Sequence, residues 1–215
     1  MNCRIYIMPS SGLDPESALW QGFASPERRS KLRRIAGLEG KQSSLAAELA
    51  LCAAALDRGL SVPPVYVCGE NGKPGFPCPP PYFSLSHCSG AALCAISNAD
   101  IGVDAERTDR TVSDGVLRRI LAPGESAAVP VRKWVVKESY LKLTGEGLRR
   151  DMRSFSENGG GIFSLSGEKL AFTETLEADG LCIAVSSHTK LFISVTRIDE
   201  TELAARLSKT SSQRF

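Results

Sequence analysis

Ile101-Gly102-Val103-Asp104-Ala105-Glu106 is the stretch from which the rest of the chain can be read. Strand alternation puts Ile101, Val103 and Ala105 on one face and Gly102, Asp104 and Glu106 on the other. Two carboxylates thus point the same way. The glycine beside them leaves room for a ligand, and a hard cation such as Mg²⁺ would relieve the repulsion between neighbouring anions. Taken alone, the stretch fits the commoner situation of two solvent-facing charges on an edge strand better.

Working toward the N-terminus, residues 91–97 and 83–86 are short strand candidates, preceded by a loop from 70 to 81 in which Pro79-Pro80-Pro81 excludes helix and central strand alike. Leu45, Leu49, Cys52 and Leu56 mark one face of an amphipathic core helix closed by Gly59. Ser25-Pro26-Glu27 is a helix start with a capping residue, proline in the first turn and a carboxylate at the positive end. It opens a basic segment of Arg28, Arg29, Lys31, Arg33 and Arg34. Residues 1–8 alternate as a first strand does and lack the apolar region of a secretion signal.

On the C-terminal side, residues 113–120 read as a helix, Pro123-Gly124 breaks it, and 131–143 is a second long helix. The remainder is strand-like: 163–165, 170–175, 181–186 and 191–198, separated by turns. The order predicts an α+β fold of two similar halves, each a small antiparallel sheet packed on a long helix, meeting near residue 100. The halves are 1–100 and 101–207, with a frayed tail at 208–215. Leu93-Cys94-Ala95-Ile96-Ser97 and Leu181-Cys182-Ile183-Ala184-Val185-Ser186 echo each other, as duplication would require and as short strands also do by chance.

A hydrophobic content of 42% and a charged content of 23% exclude a disordered or fibrous chain. No run approaches the roughly 20 apolar residues of a membrane span, and a cytoplasmic location is expected. Net charge of +2 lacks the basic excess of a nucleic-acid binder, so anion binding must come from local clusters. The seven cysteines are odd in number, form no C-x-x-C pair and read as reduced, buried thiols. With only His87 and His188 beside them, the residues argue against a zinc site and leave hard metals open.

Trp134, Glu138 and Lys142 recur every four residues and share one stripe of the second long helix. Glu138 would add a third carboxylate and Lys142 a cation for phosphate, although the same two residues have the spacing of an ordinary surface ion pair. At the end of the strand Phe83-Ser84-Leu85-Ser86-His87, Ser86 and His87 are able to donate to a phosphate. Gly72-Lys73-Pro74 is a turn with a single cation, and Arg28 and Lys31 share a helix face.

In their order along residues 1–155, these segments, ending in Trp134-Val135-Val136-Lys137-Glu138-Ser139-Tyr140-Leu141-Lys142-Leu143-Thr144-Gly145, resemble the 4′-phosphopantetheinyl transferases. The likeness is to the larger, two-halved class that serves peptide, polyketide and fatty-acid synthetases. The resemblance implies a pseudo-twofold axis, a monomer, coenzyme A in the cleft between halves, and an acyl or peptidyl carrier protein as partner. Asp104, Glu106 and Glu138 would hold Mg²⁺ and Lys142 would pair with the diphosphate. Arg28, Lys31, Ser44 and His87, with Ser86, would hold the 3′-phosphate, and Lys73 and Pro74 would border the adenine. The expected reaction moves the phosphopantetheine arm onto a carrier serine and releases 3′,5′-ADP, with Glu138 as base and Lys142 stabilising the transition state. Ala105, where the family carries a larger aliphatic residue, and Cys88, where it carries a hydroxyl residue, depart from the pattern. The competing readings are a non-catalytic coenzyme A or nucleotide-binding module, and a magnesium phosphotransferase or hydrolase that needs no carrier. A nucleic-acid binder ranks last.

Overall fold

The first strand, β1 (Asn2–Pro9), is buried on both faces from Ile5 to Met8, and the computed structural model describes residues 1–212. Three helices follow, α1 (Ala18–Phe23), α2 (Pro26–Arg34) and α3 (Leu38–Asp57). Ser25 caps α2 as its sequence predicts, its hydroxyl accepting from the Arg28 N–H at 3.1 Å. A small hairpin, β2 (Val67–Cys68) and β3 (Pro74–Gly75), leads to β4 (Tyr82–Cys88), β5 (Ala91–Ser97) and β6 (Ile101–Arg107). Next come α4 (Asp114–Ile120), capped by Ser113, and α5 (Pro130–Thr144). Four strands, β7 (Phe155–Asn158), β8 (Gly161–Ser164), β9 (Lys169–Ala178) and β10 (Leu181–Ser187), precede β11 (Phe192–Arg197) and α6 (Glu200–Ser212).

The strands form one sheet in the order β11-β1-β5-β4 and a second in the order β6-β10-β9-β8-β7. The alternation read from Ile101 to Glu106 holds. Ile101, Val103 and Ala105 join Leu181, Ile183 and Val185 in an apolar layer that meets Ile5, Ile7 and Leu93 of the first sheet. The opposite faces carry the helices: α3 covers Tyr6, Met8, Cys94 and Ile96, while α5 covers Cys182 and Ala184. Within this frame a strand, a long helix and a hairpin occur twice, paired as β1-β5-β4 and β6-β10-β9.

Five expectations need correction. The C-terminal segment is not strand throughout: Asp199 caps α6 by accepting from the Glu202 N–H at 2.9 Å, and Leu203 and Leu207 bury against α3. The expected tail from 208 is therefore helical to Ser212, and 213–215 lie outside the described residues. Nor does 101–207 stay together, because β11 returns to pair parallel with β1. Helix α3 is buried all round from Ser43 to Ala55 rather than on one face. Its alanines suit a helix wedged between a sheet and other helices. The thiols are free as expected, but Cys68 and Cys78 are exposed because they sit on the loop-rich hairpin rather than in a core. Among the described residues no helix is long and apolar enough to cross a membrane.

The far side of α5 is held by buried charges. Lys137, fully buried, donates to the Met152 carbonyl at 2.9 Å and to that of Phe155, and pairs with Glu125 at 2.8 Å. Glu157 takes Lys133 at 2.7 Å and Arg132 at 3.0 Å. Burial alone would raise the Glu125 carboxyl, but hydrogen bonds from Lys137 and the N–H groups of Glu157 and Ala122 outweigh it and hold it low. Glu157 is likewise held low against burial by Lys133 and Arg132. A depressed carboxyl contributes stability that is complete above the unfolded value of about 4.3 and lost as pH falls through the folded value. Urea unfolding followed from pH 7 down to about pH 3 is expected to show a loss of up to about 1.4 kcal/mol per pH unit for each such group while it titrates. Glu125→Gln removes its share of that slope.

Candidate active site

The glycine of the opening hexapeptide sets the geometry. A Cβ at Gly102 would lie 2.0 Å from the Ser139 carbonyl oxygen and 2.3 Å from the Leu143 nitrogen, so the α5 backbone rests directly on β6. The room read into Gly102 is taken by the helix, not by a ligand. The close approach brings α5 side chains to the strand's carboxylates. Asp104, 6% exposed, accepts at Oδ1 from Lys142 Nζ and from Ser86 Oγ, each at 2.7 Å. Lys142 also donates to the Leu85 carbonyl at 3.2 Å, so its partner is the strand and not Glu138. The Glu138 carboxyl is pushed up, by burial first and the Asp104 charge second, against Lys142 and Arg110. Glu106 pairs with Arg110, whose guanidinium stands 4.9 Å from the centre of the Trp134 ring.

The edges of the two sheets are joined beside this group by serines. Ser84 Oγ accepts from the Val103 N–H at 3.0 Å, and Ser86 Oγ from the Ala105 N–H at 3.3 Å. Hydroxyls thereby replace a backbone ladder between β4 and β6, and the Ser86 proton goes to Asp104.

Across a cleft of about 890 Å³ lie the cations of α2. Arg28 is 7% exposed, with Nε on Glu48 at 2.9 Å and a terminal nitrogen on Ser44 Oγ at 2.9 Å. Glu48 is fully buried and also takes the Ser25 N–H at 3.0 Å and the Tyr66 hydroxyl at 3.1 Å. Burial, with Glu48 next, pushes the Tyr66 phenol up to about 12. The sequence reading passed over Glu48; its signal was a single acid in the apolar run Leu45-Ala46-Ala47-Glu48-Leu49. Lys31 lines the cleft and is exposed as a residue. Desolvation first and Arg28 second push its ammonium down. His87 is similarly lowered, by desolvation, then Lys142, Lys31 and Arg28.

Arg28, Lys31, Arg34 and His87 therefore share one cleft with Asp104, Glu106, Trp134, Glu138 and Lys142, and Gly72 and Pro74 line it as well. Lys73 is placed differently: Nζ binds Asp100 at 2.7 Å and the Leu143 carbonyl at 2.8 Å, at the negative end of α5 where Gly145 terminates it.

Among the described residues no three His, Cys, Asp or Glu side chains are already drawn into a coordination shell, since Glu106 turns to Arg110 and Asp104 Oδ1 to Lys142 and Ser86. The donor set still fits a hard divalent cation. Asp104 Oδ2 is buried with no hydrogen-bond partner, and two further carboxylates line the same wall.

The profile described as "4′-phosphopantetheinyl transferase superfamily" matches residues 100–186, the segment that carries Asp104, Glu106, Glu138 and Lys142. The chain is 28% identical over 156 residues to 4′-phosphopantetheinyl transferase Sfp of Bacillus subtilis strain 168, covering 66% of this chain and 69% of that protein. It is 29% identical over 174 residues to another Bacillus subtilis 4′-phosphopantetheinyl transferase, covering 72% and 77%. A third relative, gsp of Aneurinibacillus migulanus, is 27% identical over 84 residues, 34% and 35% of the two chains. The match thus falls on the strand and helix that hold the carboxylates against Lys142, and two relatives extend the similarity to 4′-phosphopantetheinyl transferases over most of the chain.

Proposed function

We propose that the protein transfers the phosphopantetheine arm of coenzyme A to a serine of an acyl or peptidyl carrier protein and releases 3′,5′-ADP. The observation that carries this reading is one cleft with cations on one wall and three carboxylates beside Lys142 on the other. Coenzyme A occupies that cleft. Its 3′-phosphate meets Arg28, Lys31 and His87, with Ser44 orienting Arg28 and Ser86 orienting Asp104 through the bonds they already make. Pro74 and the stem of Lys73 border the adenine. The repeated strand order and the matching helices favour two halves related by a pseudo-twofold axis. A cytoplasmic monomer suits that arrangement.

Asp104, Glu106 and Glu138 would hold Mg²⁺, which supplies Lewis-acid neutralisation of the diphosphate when bound. The chain's own residues do the rest. Lys142 spends two of its three N–H donors on Asp104 and the Leu85 carbonyl, which leaves one for a diphosphate oxygen as charge develops on the leaving group. The serine proton passes to a carboxylate oxygen of Glu138, directly or through one water, and burial beside Asp104 makes that carboxylate a better acceptor than an exposed one.

Incubating the protein with coenzyme A, Mg²⁺ and a panel of apo carrier proteins, then measuring intact carrier mass, is expected to show a gain of one phosphopantetheine unit that chelator abolishes. Binding of coenzyme A by the folded protein with no mass gain on any carrier would favour the non-catalytic binding module instead.

A further inference from the structure

We propose that the buried Glu125–Lys137 pair is a positioning device for this transfer: it is the rotational lock that aims Glu138 and Lys142 at the strand carboxylates. The inference rests on the functional reading above. Lys133 and Lys137 form one stripe of α5, and Trp134 and Glu138 follow each of them by a single residue, a turn of about 100° around the axis. The contact at Gly102 fixes how closely the helix approaches β6 but acts near one point, so it does not by itself prevent the helix from rolling. The roll is resisted on the other side. All three N–H donors of Lys137 are used, on Glu125, on Met152 and on Phe155, with the Phe155 ring 4.6 Å from the ammonium. Glu125 is anchored in turn by the Ala122 N–H at 3.0 Å and the Glu157 N–H at 2.9 Å, which tie it to the loop before α5 and to β7.

Neither residue lines the cleft, so neither touches a ligand there. Stability is only part of what the pair supplies, since apolar groups are also able to fill such a site. Directional bonds provide what apolar packing lacks, a defined angle. A roll of about 20° would move a carboxylate carried ~6 Å from the helix axis by about 2 Å, and a displacement of about 1 Å at a reacting group is enough for a hundredfold loss.

The test uses the full chain with Lys137→Met/Glu125→Leu, which exchanges the pair for apolar groups, and Glu125→Gln alone. Thermal midpoint, coenzyme A affinity by calorimetry, Mn²⁺ affinity in the presence of coenzyme A, and kcat and KM on an accepted carrier are measured for each. The double variant is expected to have a lower midpoint, because the Ala122 and Glu157 N–H groups and the Met152 and Phe155 carbonyls lose their partners, and, well below that midpoint, to keep its coenzyme A affinity while kcat falls about tenfold or more and Mn²⁺ binds several-fold more weakly. A folded double variant with wild-type kcat and wild-type Mn²⁺ affinity overturns the proposal. Should that variant not fold, Glu125→Gln decides at a temperature well below its own midpoint: lower kcat at unchanged KM for coenzyme A supports the lock, and unchanged kcat overturns it. A wild-type protein that modifies no carrier would refute the functional reading instead, and the Mn²⁺ affinities would still decide the lock.

Discussion

Glu138→Gln is expected to lower carrier modification by about 10² to 10⁴-fold while the protein stays folded, a cost of roughly 3–5 kcal/mol on the reaction barrier. The amide keeps the shape of the side chain and removes the one group on α5 that can both take a proton and sit beside Asp104. Stability should not suffer. The carboxyl is pushed up by burial and by the Asp104 charge, so losing its ionisation relieves repulsion rather than breaking a bond. Intact-mass rates measured with thermal unfolding check both halves of the statement. An unchanged rate would remove Glu138 from the chemistry, and a collapsed midpoint would make its role structural.

Gly102→Ala is expected to act through the fold. The added methyl would meet the Ser139 carbonyl oxygen and the Leu143 nitrogen, both backbone atoms of α5 that no rotamer change can move aside. The helix must lift from β6, at a cost of about 3 kcal/mol or more, which for a chain of this size lowers the unfolding midpoint by roughly 6–12 °C. Because Glu138 and Lys142 ride on that helix, transfer should fall even where the protein remains folded. Gly22→Ala, where an added Cβ meets nothing within 4 Å, is the control and should be neutral or mildly stabilising.

The comparison of these two positions marks what could be read in advance. Glu138 was legible because helical period and the strand pair named it together with Asp104 and Glu106. Gly102 was seen but misread, since a missing side chain in a sequence does not say whether a ligand or a backbone fills the space. Ser86 and Lys73 illustrate a related limit: their donors were assigned to a ligand by type, and the fold gives them to Asp104 and to the end of α5. The return of β11 to β1 joins strands about 190 residues apart in sequence, as in the pairing of Asn2 with Phe192, and such a contact leaves no local pattern. Helix α6 did leave one, in the Asp199 cap and the Leu203 and Leu207 spacing, overlooked among strand-like neighbours.

The amino-acid sequence by itself determined the α+β class, the two long helices, the face of β6 that carries the carboxylates and the family that the chain resembles. Those follow from period, capping and motif order, which act over a few residues at a time. Only the tertiary structure decided which cations remain for a ligand and which are consumed inside the protein. Arg28 lines the cleft, oriented by Glu48 and Ser44, whereas Lys137 is enclosed by Glu125 and two carbonyls and Lys73 is bound at the end of α5. A buried charge must find a partner wherever the fold brings one within about 3 Å, and that distance is set by packing between segments far apart in sequence.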